Sequence, residues 1–355
     1  MRRHRIAVIA GDGVGTEVVP VASRVLARVA ALTNSFGLDL IEYPWSCVWY
    51  QEHGRMMPVD GMERLRDSDA ILLGAIGSPL VPDHVSLREL LLPIRQSFDQ
   101  YVNLRPIQLL EGVRSPLRGV GPADLDILCI RENSEGEYVG LGGAFSHQAE
   151  QVAIQTAVFT ETAVERIVRY ACDRAAERRH SVASASKANA LQYTGVLWEK
   201  VAAHVAADYP GVNLTAFHVD ALAARFVSAP ETLDVVVASN LFGDILTDLG
   251  AALQGGMGLA ASANLNPERR YPSMFEPVHG SAPTIAGQGI ANPIGAVWSA
   301  ALMLSHLGER ESSEMVMRAV KHVARSGPRT SDLGGVASTS EVSDALIAAL
   351  DHEER

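Results

Sequence analysis

Short apolar runs alternate with longer amphipathic stretches along this chain. Residues 6–10 form an apolar run that ends at two turn residues, Gly11 and Asp12, and this pattern predicts a strand. Similar apolar runs occupy residues 70–73, 127–130 and 235–238. Apolar residues recur at helical spacing after the first turn, and further helices are predicted at 163–178 and 198–207. Strands that alternate with helices predict an α/β fold with a largely parallel sheet.

A chain of this length is expected to form about two domains. Of its 355 residues 47% are hydrophobic and 20% are charged, a composition that excludes a disordered protein. No segment rich in Pro, Gly and Ser separates two halves, so we predict that one domain is discontinuous. Residues 139–153 are Gly-rich and polar, and they are predicted to leave the compact body as a surface loop or a dimer arm.

Charge and cysteine content limit the possible partners and the compartment. The formal net charge is -11 at pH 7, and without a basic excess a nucleic-acid-binding protein is excluded. No run of 18 apolar residues predicts a membrane span, and the apolar run after the basic N-terminus is too short for a signal peptide. Because Cys47, Cys129 and Cys172 are far apart and odd in number, we expect reduced thiols in a cytoplasmic enzyme.

The Gly-rich turn at residues 11–15 leaves three interpretations open. Its GDGVG sequence between a strand and a helix suggests a Rossmann dinucleotide site, but Thr16 stands where the third glycine of that motif belongs. The carboxylate of Asp12 would also face a bound pyrophosphate. The alternatives are a tight left-handed turn that begins a helix, and a loop that helps to bind a cofactor in another way.

Two acidic residues follow the apolar run at 235–238 on a predicted helix. Asp244 and Asp248 are four positions apart, so their carboxylates share one helix face. Two hard oxygen ligands at the carboxyl end of a strand suit Mg²⁺ or Mn²⁺, and Asp220 is a candidate third ligand. The alternative is that acids near a helix start only stabilise its dipole.

Basic and phenolic side chains complete the candidate chemistry. Arg95, Arg105 and Arg131 lie near the ends of predicted elements, and guanidinium groups bind carboxylates in a bidentate manner. Together with a divalent cation they would bind a small dicarboxylate. Tyr138 and Lys187 beside such a cation could serve as acid and base. Taken singly, each of these residues is more often an ordinary surface side chain.

Five motifs in family order resemble the metal-dependent β-decarboxylating dehydrogenases, which include isocitrate, 3-isopropylmalate, homoisocitrate and tartrate/D-malate dehydrogenases. These motifs are GDGVG at 11–15, NLRP at 103–106, RENSEGEY at 131–138, SNLFGDILTD at 239–248 and FEPVHGSAP at 275–283. Residues 45–50, 53–58 and 262–269 are most similar to the tartrate/D-malate branch.

The resemblance implies the isocitrate/isopropylmalate dehydrogenase-like fold, an α/β fold with two domains that is not a Rossmann fold. Residues 1–104 plus 255–355 would form the discontinuous cofactor-side domain. Residues 105–254 would form the metal and dimerisation domain, with an arm near 139–160. The active sites would be shared across a homodimer, with Lys187 and Asp220 supplied by the partner subunit.

The implied reaction is oxidative decarboxylation of a D-malate-type 2-hydroxy dicarboxylic acid by NAD. Mg²⁺ or Mn²⁺ would be held by Asp220, Asp244 and Asp248, and K⁺ is a further candidate cofactor. Lys187 would take the hydroxyl proton, and Tyr138 would return a proton at C3 after loss of CO₂. The three arginines would hold the substrate carboxylates, and Asn189 would contact substrate or nicotinamide.

The resemblance also assigns a set of cofactor-binding residues. These are Glu276, His279, Gly280, Ser281, Ala282, Thr284, Ile285, Asn292 and Asp332. NAD-using members usually carry an acidic residue where this chain has Thr284, and the lysine-tyrosine pair of bacterial NADP-using isocitrate enzymes is also missing. NAD is the predicted cofactor.

The stretch before Arg95 departs from the branch that the chain otherwise resembles. Arg88 adds a cation there, either to bind an extra anionic group of the substrate or to pair with Glu89 or Asp83 in solvent. Leu91 resembles the apolar wall of isopropylmalate enzymes. Alternative functions are therefore a 3-isopropylmalate dehydrogenase, an enzyme for an unusual substituted malate, an inactive regulatory member, and a Rossmann dehydrogenase without metal.

Overall fold

The computed structural model describes residues 2–147 and 150–353, which form two compact units. Unit 1 comprises Met1–Gln100, Gln108–Pro122 and Ala251–Arg355, and unit 2 comprises Tyr101–Ile107 and Ala123–Gly250. No helix within the described residues has both the length and the apolar character that crossing a membrane requires.

Twelve strands are described, in chain order. They are β1 (Arg2–Gly11), β2 (Phe36–Glu42), β3 (Ala70–Ala75), β4 (Val102–Gln108), β5 (Asp126–Glu132), β6 (Gly142–His147), β7 (Glu150–Gln155), β8 (Ser181–Ser186), β9 (Asn213–His218), β10 (Val235–Ala238), β11 (Ala261–Leu265) and β12 (Ser273–Pro277). The predicted strands at 70–73, 127–130 and 235–238 are confirmed as β3, β5 and β10.

Twelve α-helices are described over the same residues. They are α1 (Gly15–Thr33), α2 (Cys47–His53), α3 (Gly61–Arg66), α4 (Asp83–Ser86), α5 (Leu92–Ser97), α6 (Glu161–Ala176), α7 (Thr194–Ala206), α8 (Val219–Ser228), α9 (Asn240–Leu253), α10 (Ile294–Leu307), α11 (Arg310–Ser326) and α12 (Thr339–Glu353). A π-helical segment, Leu87–Leu91, joins α4 to α5. The helices predicted at 163–178 and 198–207 correspond to α6 and α7.

Unit 1 is built on strands in the order β2-β1-β3-β12-β11. Strands β2, β1, β3 and β12 run parallel to one another, whereas β11 is antiparallel to β12. Every residue of β3 is buried, as expected for a parallel strand covered on both faces. Val18, Val25 and Val29 form a buried stripe on α1, because residues at this spacing lie on one helix face.

Unit 2 contains strands in the order β4-β5-β10-β8-β9. Strand β10 pairs in parallel with β5 and β8, and all four of its residues are buried. It therefore lies inside the sheet, and α9 begins directly at its carboxyl end. This connection places the acidic residues of α9 at the sheet edge where parallel α/β folds bind ligands.

The Gly-rich segment after Tyr138 forms an antiparallel pair of strands, β6 and β7. Large apolar side chains on and beside this pair are exposed, including Phe145 and Ile154 at 54% and 56%. The segment is thus a strand pair rather than an irregular loop. Residues 148 and 149 of the predicted arm lie outside the described part of the chain.

Residues 108–122 belong to unit 1, whereas the predicted boundaries placed them in the second domain. The amide of Gln108 donates to Gln254 Oε1 at 3.0 Å. Gly112 lies so close to the backbone of Arg325 that any side chain there would collide with it. These contacts hold the segment against the helices of unit 1.

Candidate active site

Two carboxylates on α9 form the acidic part of the candidate site in unit 2. Asp244 and Asp248 are one helical turn apart, and their side chains are 35% and 60% exposed. Partial burial, and to a smaller extent the negative charge of Asp244, raises the pKa of Asp248, although Arg105 opposes this shift. The two carboxylates therefore repel each other and face a site that still reaches solvent.

Two buried arginines converge on these carboxylates from neighbouring strands. Arg131, at the end of β5, donates from Nη1 to Asp244 Oδ1. Arg105, in the interior of β4 rather than at its end, has Nη2 3.4 Å from Asp244 Oδ1 and Nη1 3.7 Å from Asp248 Oδ1. Both guanidinium groups are more than nine-tenths buried. The structure thus brings together four of the predicted site residues.

Tyr138 is the fifth predicted residue of this cluster. It lies in a short 3₁₀ turn, Glu137–Val139, and its hydroxyl donates to Asp244 Oδ2 at 3.1 Å. The guanidinium carbon of Arg131 lies 5.5 Å from the centre of its ring. Both neighbours orient the phenol toward the carboxylate, a position from which it can exchange a proton with a bound molecule.

Two further residues, which the sequence interpretation missed, position the arginines. Asn240 accepts a hydrogen bond from Arg131 Nε at 2.9 Å and donates to the carbonyl of Glu135 at 2.9 Å. Thr247 Oγ1 accepts from Arg105 Nη1 at 2.6 Å. Their positions in the sequence could have identified them, because Asn240 begins α9 and Thr247 lies one turn after Asp244.

Lys187 and Asp220 form a separate pair in unit 2. Lys187 follows β8 and its Nζ donates to Asp220 Oδ1 at 2.6 Å. Asp220 lies in the first turn of α8, directly after β9. The hydrogen bond from Lys187 holds the pKa of Asp220 below its ordinary value. Within one chain, the side chain of Asp220 is therefore bound to Lys187 and, in the described part of the structure, is not grouped with Asp244 and Asp248.

Asp244 and Asp248 fit part of a divalent-metal site. They supply hard oxygen ligands from one helix face, and a bound cation would relieve the repulsion between them. Within the described residues, no group of three His, Cys, Asp or Glu side chains is close enough to hold a metal ion. The remaining ligands would have to be substrate, water or a residue of another chain.

Arg95 and Glu276 form an ion pair inside unit 1. Arg95 Nη2 donates to Glu276 Oε1 at 2.7 Å, and Asn264 Nδ2 donates to the same oxygen at 2.7 Å. Glu276 was predicted to bind cofactor, but its carboxylate is 11% exposed and bound to these two residues. Arg95 Nε is buried and has no hydrogen-bond partner among the residues that the structure describes.

The GDGVG turn packs against the loop that carries the predicted cofactor residues. The amide of Val14 donates to the carbonyl of Ser281 at 2.9 Å, and a side chain at Gly13 would collide with that carbonyl. The carboxylate of Asp12 is buried and accepts hydrogen bonds from the amides of Cys47 and Gly77, whereas only the backbone carbonyl of Asp12 accepts from α1, at Gly15. The tight left-handed turn is thus confirmed, and Asp12 anchors the loop instead of capping the helix.

The other predicted cofactor residues lie along this loop and the segments that follow β12. His279 is partly exposed, with Nδ1 3.0 Å from the carbonyl of Gly280. Burial lowers the pKa of His279, and no described residue forms a hydrogen bond with its Nε2. Ala282 has a φ of +43°, an uncommon left-handed backbone for alanine. Thr284 is exposed, and the amide of Ile285 donates to the Ala282 carbonyl at 3.1 Å.

Asn292 and Asp332 are joined by a hydrogen bond. Asn292 Nδ2 donates to Asp332 Oδ2 at 3.0 Å, and Asn292 Oδ1 accepts from the amide of Ile294 at 3.0 Å. The pair lies next to Gly258, where a Cβ would meet Asp332 Oδ2 at 2.6 Å. Two residues that were predicted to bind cofactor, forty positions apart in the chain, are therefore in direct contact.

Three further residues, Arg88, Leu91 and Asn189, were predicted to bind substrate. Arg88, on the π-helical segment, is exposed and forms no ion pair with Glu89, Asp83 or any other described residue. Leu91 is partly buried and packs against the core cluster of unit 1. Asn189 is exposed, two residues after Lys187. Their roles remain predictions.

The three cysteines are free, as their number and spacing predicted, and all three are buried. Burial raises the pKa of Cys47 and Cys129 to about 12 and that of Cys172 to about 11. None is a reactive thiolate at neutral pH, so the chemistry rests on the carboxylates, arginines, tyrosine and lysine.

Comparisons with known proteins identify the family of this chain. Residues 5–346 match the family model for isocitrate/isopropylmalate dehydrogenase. A probable tartrate dehydrogenase/decarboxylase of Bacillus subtilis is 49% identical over 351 residues, covering 99% of both chains. A decarboxylating D-malate dehydrogenase of Escherichia coli is 49% identical over 355 residues, covering 98% of each.

A solved structure shows the same architecture. The crystal structure of isocitrate dehydrogenase from Methylococcus capsulatus is 33% identical, with a TM-score of 0.88 over 98% of this chain and 99% of that one. The predicted fold class and family resemblance are thereby confirmed. The chain belongs to the isocitrate/isopropylmalate dehydrogenase family.

Proposed function

We propose that this protein is an NAD- and divalent-metal-dependent dehydrogenase that oxidises and decarboxylates a D-malate-type 2-hydroxy dicarboxylic acid to a 2-oxo acid and CO₂. Family membership makes the chain a decarboxylating dehydrogenase that acts on a hydroxy acid. The relatives named as tartrate and D-malate enzymes support the substrate class. The observation that carries the proposal is the convergence of Arg105, Arg131 and Tyr138 on the carboxylate of Asp244.

Substrate binding rests on the arginines. Arg105 and Arg131 are rigid because they are buried and bound to Thr247 and Asn240, so their guanidinium groups are preorganised for a carboxylate. Arg95 is proposed for the same task, and its free Nε supports that role.

Proton transfer rests on Lys187 and Tyr138. Lys187 would accept the C2 hydroxyl proton, and Tyr138 would donate a proton to C3 once CO₂ has left. Both residues make polar contacts with proposed metal ligands, Asp220 and Asp244. These contacts hold the two proton-transfer groups in defined positions before substrate binds.

Enzymes of this family use NAD(P) and a divalent metal ion. We propose Mg²⁺ or Mn²⁺ at Asp244 and Asp248 with Asp220, and NAD along the loop that carries His279 and Ser281. The metal, when bound, would polarise the substrate hydroxyl and stabilise negative charge on that oxygen. The dinucleotide, when bound, would accept the hydride.

A homodimer with shared sites is part of this proposal. In one chain, Asp220 is bonded to Lys187 instead of joining the other two acids, so a third ligand from the partner subunit would complete the set. Apolar side chains that a partner would cover are exposed on unit 2. They include Leu141, Phe145 and Ile154 near the strand pair, and Tyr193, Val196 and Ile245 on or beside α7 and α9.

We expect kcat/KM for NAD to exceed that for NADP, and Thr284→Asp to widen this ratio by about tenfold. A carboxylate at this exposed position would repel a 2′-phosphate and accept hydrogen bonds from ribose hydroxyls. Steady-state kinetics with both cofactors measures the ratio, and Gln288→Glu on the same loop is a charge-matched control. Equal or reversed wild-type values would refute the NAD assignment.

The proposed function is tested by measuring NADH formation and CO₂ release with D-malate, Mn²⁺ and K⁺. We expect both products, loss of activity with EDTA, and recovery with added Mn²⁺. Activity that EDTA leaves unchanged would indicate a metal-free dehydrogenase, and NADH without CO₂ would indicate simple oxidation. The same assay with both tartrates, 3-isopropylmalate, isocitrate and substituted malates distinguishes the substrate alternatives. No turnover with any of them would indicate an inactive member.

A further inference from the structure

Unit 1 contains a cavity of about 320 Å³ at the amino-terminal ends of its parallel strands. His4 near the start of β1, Asp69 directly before β3 and Pro272 directly before β12 contribute to its wall. The loop with the predicted cofactor residues follows the opposite, carboxyl ends of these strands. Because strands of this length span roughly 17–20 Å, the cavity is separate from the proposed cofactor site.

The wall of the cavity is strongly basic. Arg66, Arg269 and Arg270 line it, in a chain whose net charge is -11. Arg66 and Arg269 form no ion pair with any described residue, and the nearest carboxylate oxygen to Arg270 is at 4.0 Å, on Glu268. The lining carboxylate of Asp69 accepts a hydrogen bond from the amide of Arg5 at 2.7 Å. Among the side chains that line the cavity, positive charge therefore exceeds negative charge.

The loop that carries two of these arginines is held in an uncommon conformation. Arg269 has a φ of +54°, in the left-handed region that favours glycine. The buried side chain of Asn266 fixes the loop, because its Oδ1 accepts from the amides of Arg270 at 2.8 Å and Tyr271 at 3.3 Å. The guanidinium groups are thus presented by a fixed loop, and such backbone strain is concentrated at binding sites.

Two side chains that are less exposed than the arginines, Ser68 and His306, also line the cavity. Ser68 is 6% exposed, and its hydroxyl has no hydrogen-bond partner in the described part of the chain. An unsatisfied buried hydroxyl is costly, so a bound acceptor would stabilise it. Burial, and the positive charge of Arg269, lower the pKa of His306 to about 4. His306 is therefore uncharged at neutral pH, and the nearby positive charge of Arg269 favours this neutral form.

We propose that this cavity binds a compact anion that carries two or more negative charges on oxygen, such as a phosphate ester or a polycarboxylate. Guanidinium groups bind such oxyanions through paired, charge-assisted hydrogen bonds. The cavity volume lies at the lower end of the range for small-molecule sites, which suits a compact ligand. The Ser68 hydroxyl and the His306 ring would add neutral hydrogen bonds.

Isothermal titration calorimetry of the full chain tests this inference. Pyrophosphate represents the phosphoryl class and citrate the polycarboxylate class. Protein and buffers are freed of divalent metal by passage over a chelating resin beforehand, which prevents metal-mediated binding at Asp244 and Asp248. We expect at least one anion to bind once per chain, and R269Q/R270Q to weaken that binding tenfold or more. The double variant R24Q/R28Q removes two guanidinium groups from exposed ion pairs on α1 and should bind like wild type.

Two single variants keep the test independent of folding. R269G suits the left-handed backbone, and R66Q lies on another segment, so each removes one charge while the loop is retained. Both should weaken binding if the anion lies in the cavity. The inference is overturned if wild type binds neither anion, if the cavity variants bind as tightly as wild type, or if R24Q/R28Q loses affinity equally.

Discussion

Asp244→Asn is expected to lower kcat/KM for D-malate, with saturating NAD and Mn²⁺, by about a thousandfold or more. The carboxylate of Asp244 contacts Arg105, Arg131 and Tyr138 together. A neutral amide binds a divalent cation weakly, and the lost charge also changes how the arginines face the substrate. Several kcal/mol of transition-state stabilisation would therefore be lost.

The Asn variant retains a hydrogen-bond acceptor for the buried Arg131 but removes its opposite charge, so a folded enzyme of reduced stability is expected. Thermal unfolding checks this point. Asp208→Asn is the matched control, because Asp208 is exposed, belongs to unit 2 and pairs with Arg169 at 2.8 Å. A folded Asp244→Asn enzyme that keeps a tenth of wild-type kcat/KM, with Mn²⁺ affinity unchanged, would contradict the metal assignment.

Lys187→Met is expected to lower kcat by about a hundredfold to ten-thousandfold, the usual contribution of a general base. Methionine keeps much of the side-chain length and removes the proton acceptor. Lys200→Met, at an exposed position on α7, is the matched control and should retain wild-type activity. If Lys187→Met lowered kcat no more than Lys200→Met does, Lys187 would be excluded as the base.

Mixed dimers separate a shared site from a site within one chain. If Lys187 and Asp220 of the partner subunit serve the site of Asp244, a dimer of one Asp244→Asn chain and one Lys187→Met chain keeps one intact site. Random pairing of the two inactive variants should then restore about a quarter of wild-type activity. Co-expression and activity measurement test this, and no recovery would place all the catalytic groups in one chain.

Much of the fold was predictable because its signals are local. Strand β10 is a run of four apolar residues that is buried throughout, and α1 shows its buried stripe at helical spacing. The i, i+4 spacing of Asp244 and Asp248 likewise predicted a shared helix face, since helix geometry alone determines it. The Gly-rich turn was predictable as a turn, because Gly11 and Gly13 both adopt positive φ.

Contacts between residues distant in sequence could not be predicted from local patterns. Residues 108–122 pack with unit 1 because of Gln254 and Arg325, which no local pattern reveals. Glu276 pairs with Arg95, a residue 181 positions away. The positioning roles of Asn240 and Thr247 depend on which strand ends lie beside α9, so the sequence interpretation missed them.

The sequence by itself determined the elements, the family and the residue types available for chemistry, because periodicity, turn residues and motif order are properties of neighbouring positions. Only the tertiary structure decided which charges meet. It brought Arg105 and Arg131 to Asp244, kept Asp220 with Lys187, and gathered three arginines around a cavity at the far ends of the unit 1 strands. The physical reason is that ion pairs and cavities arise from strand order and packing, which join residues far apart in the chain.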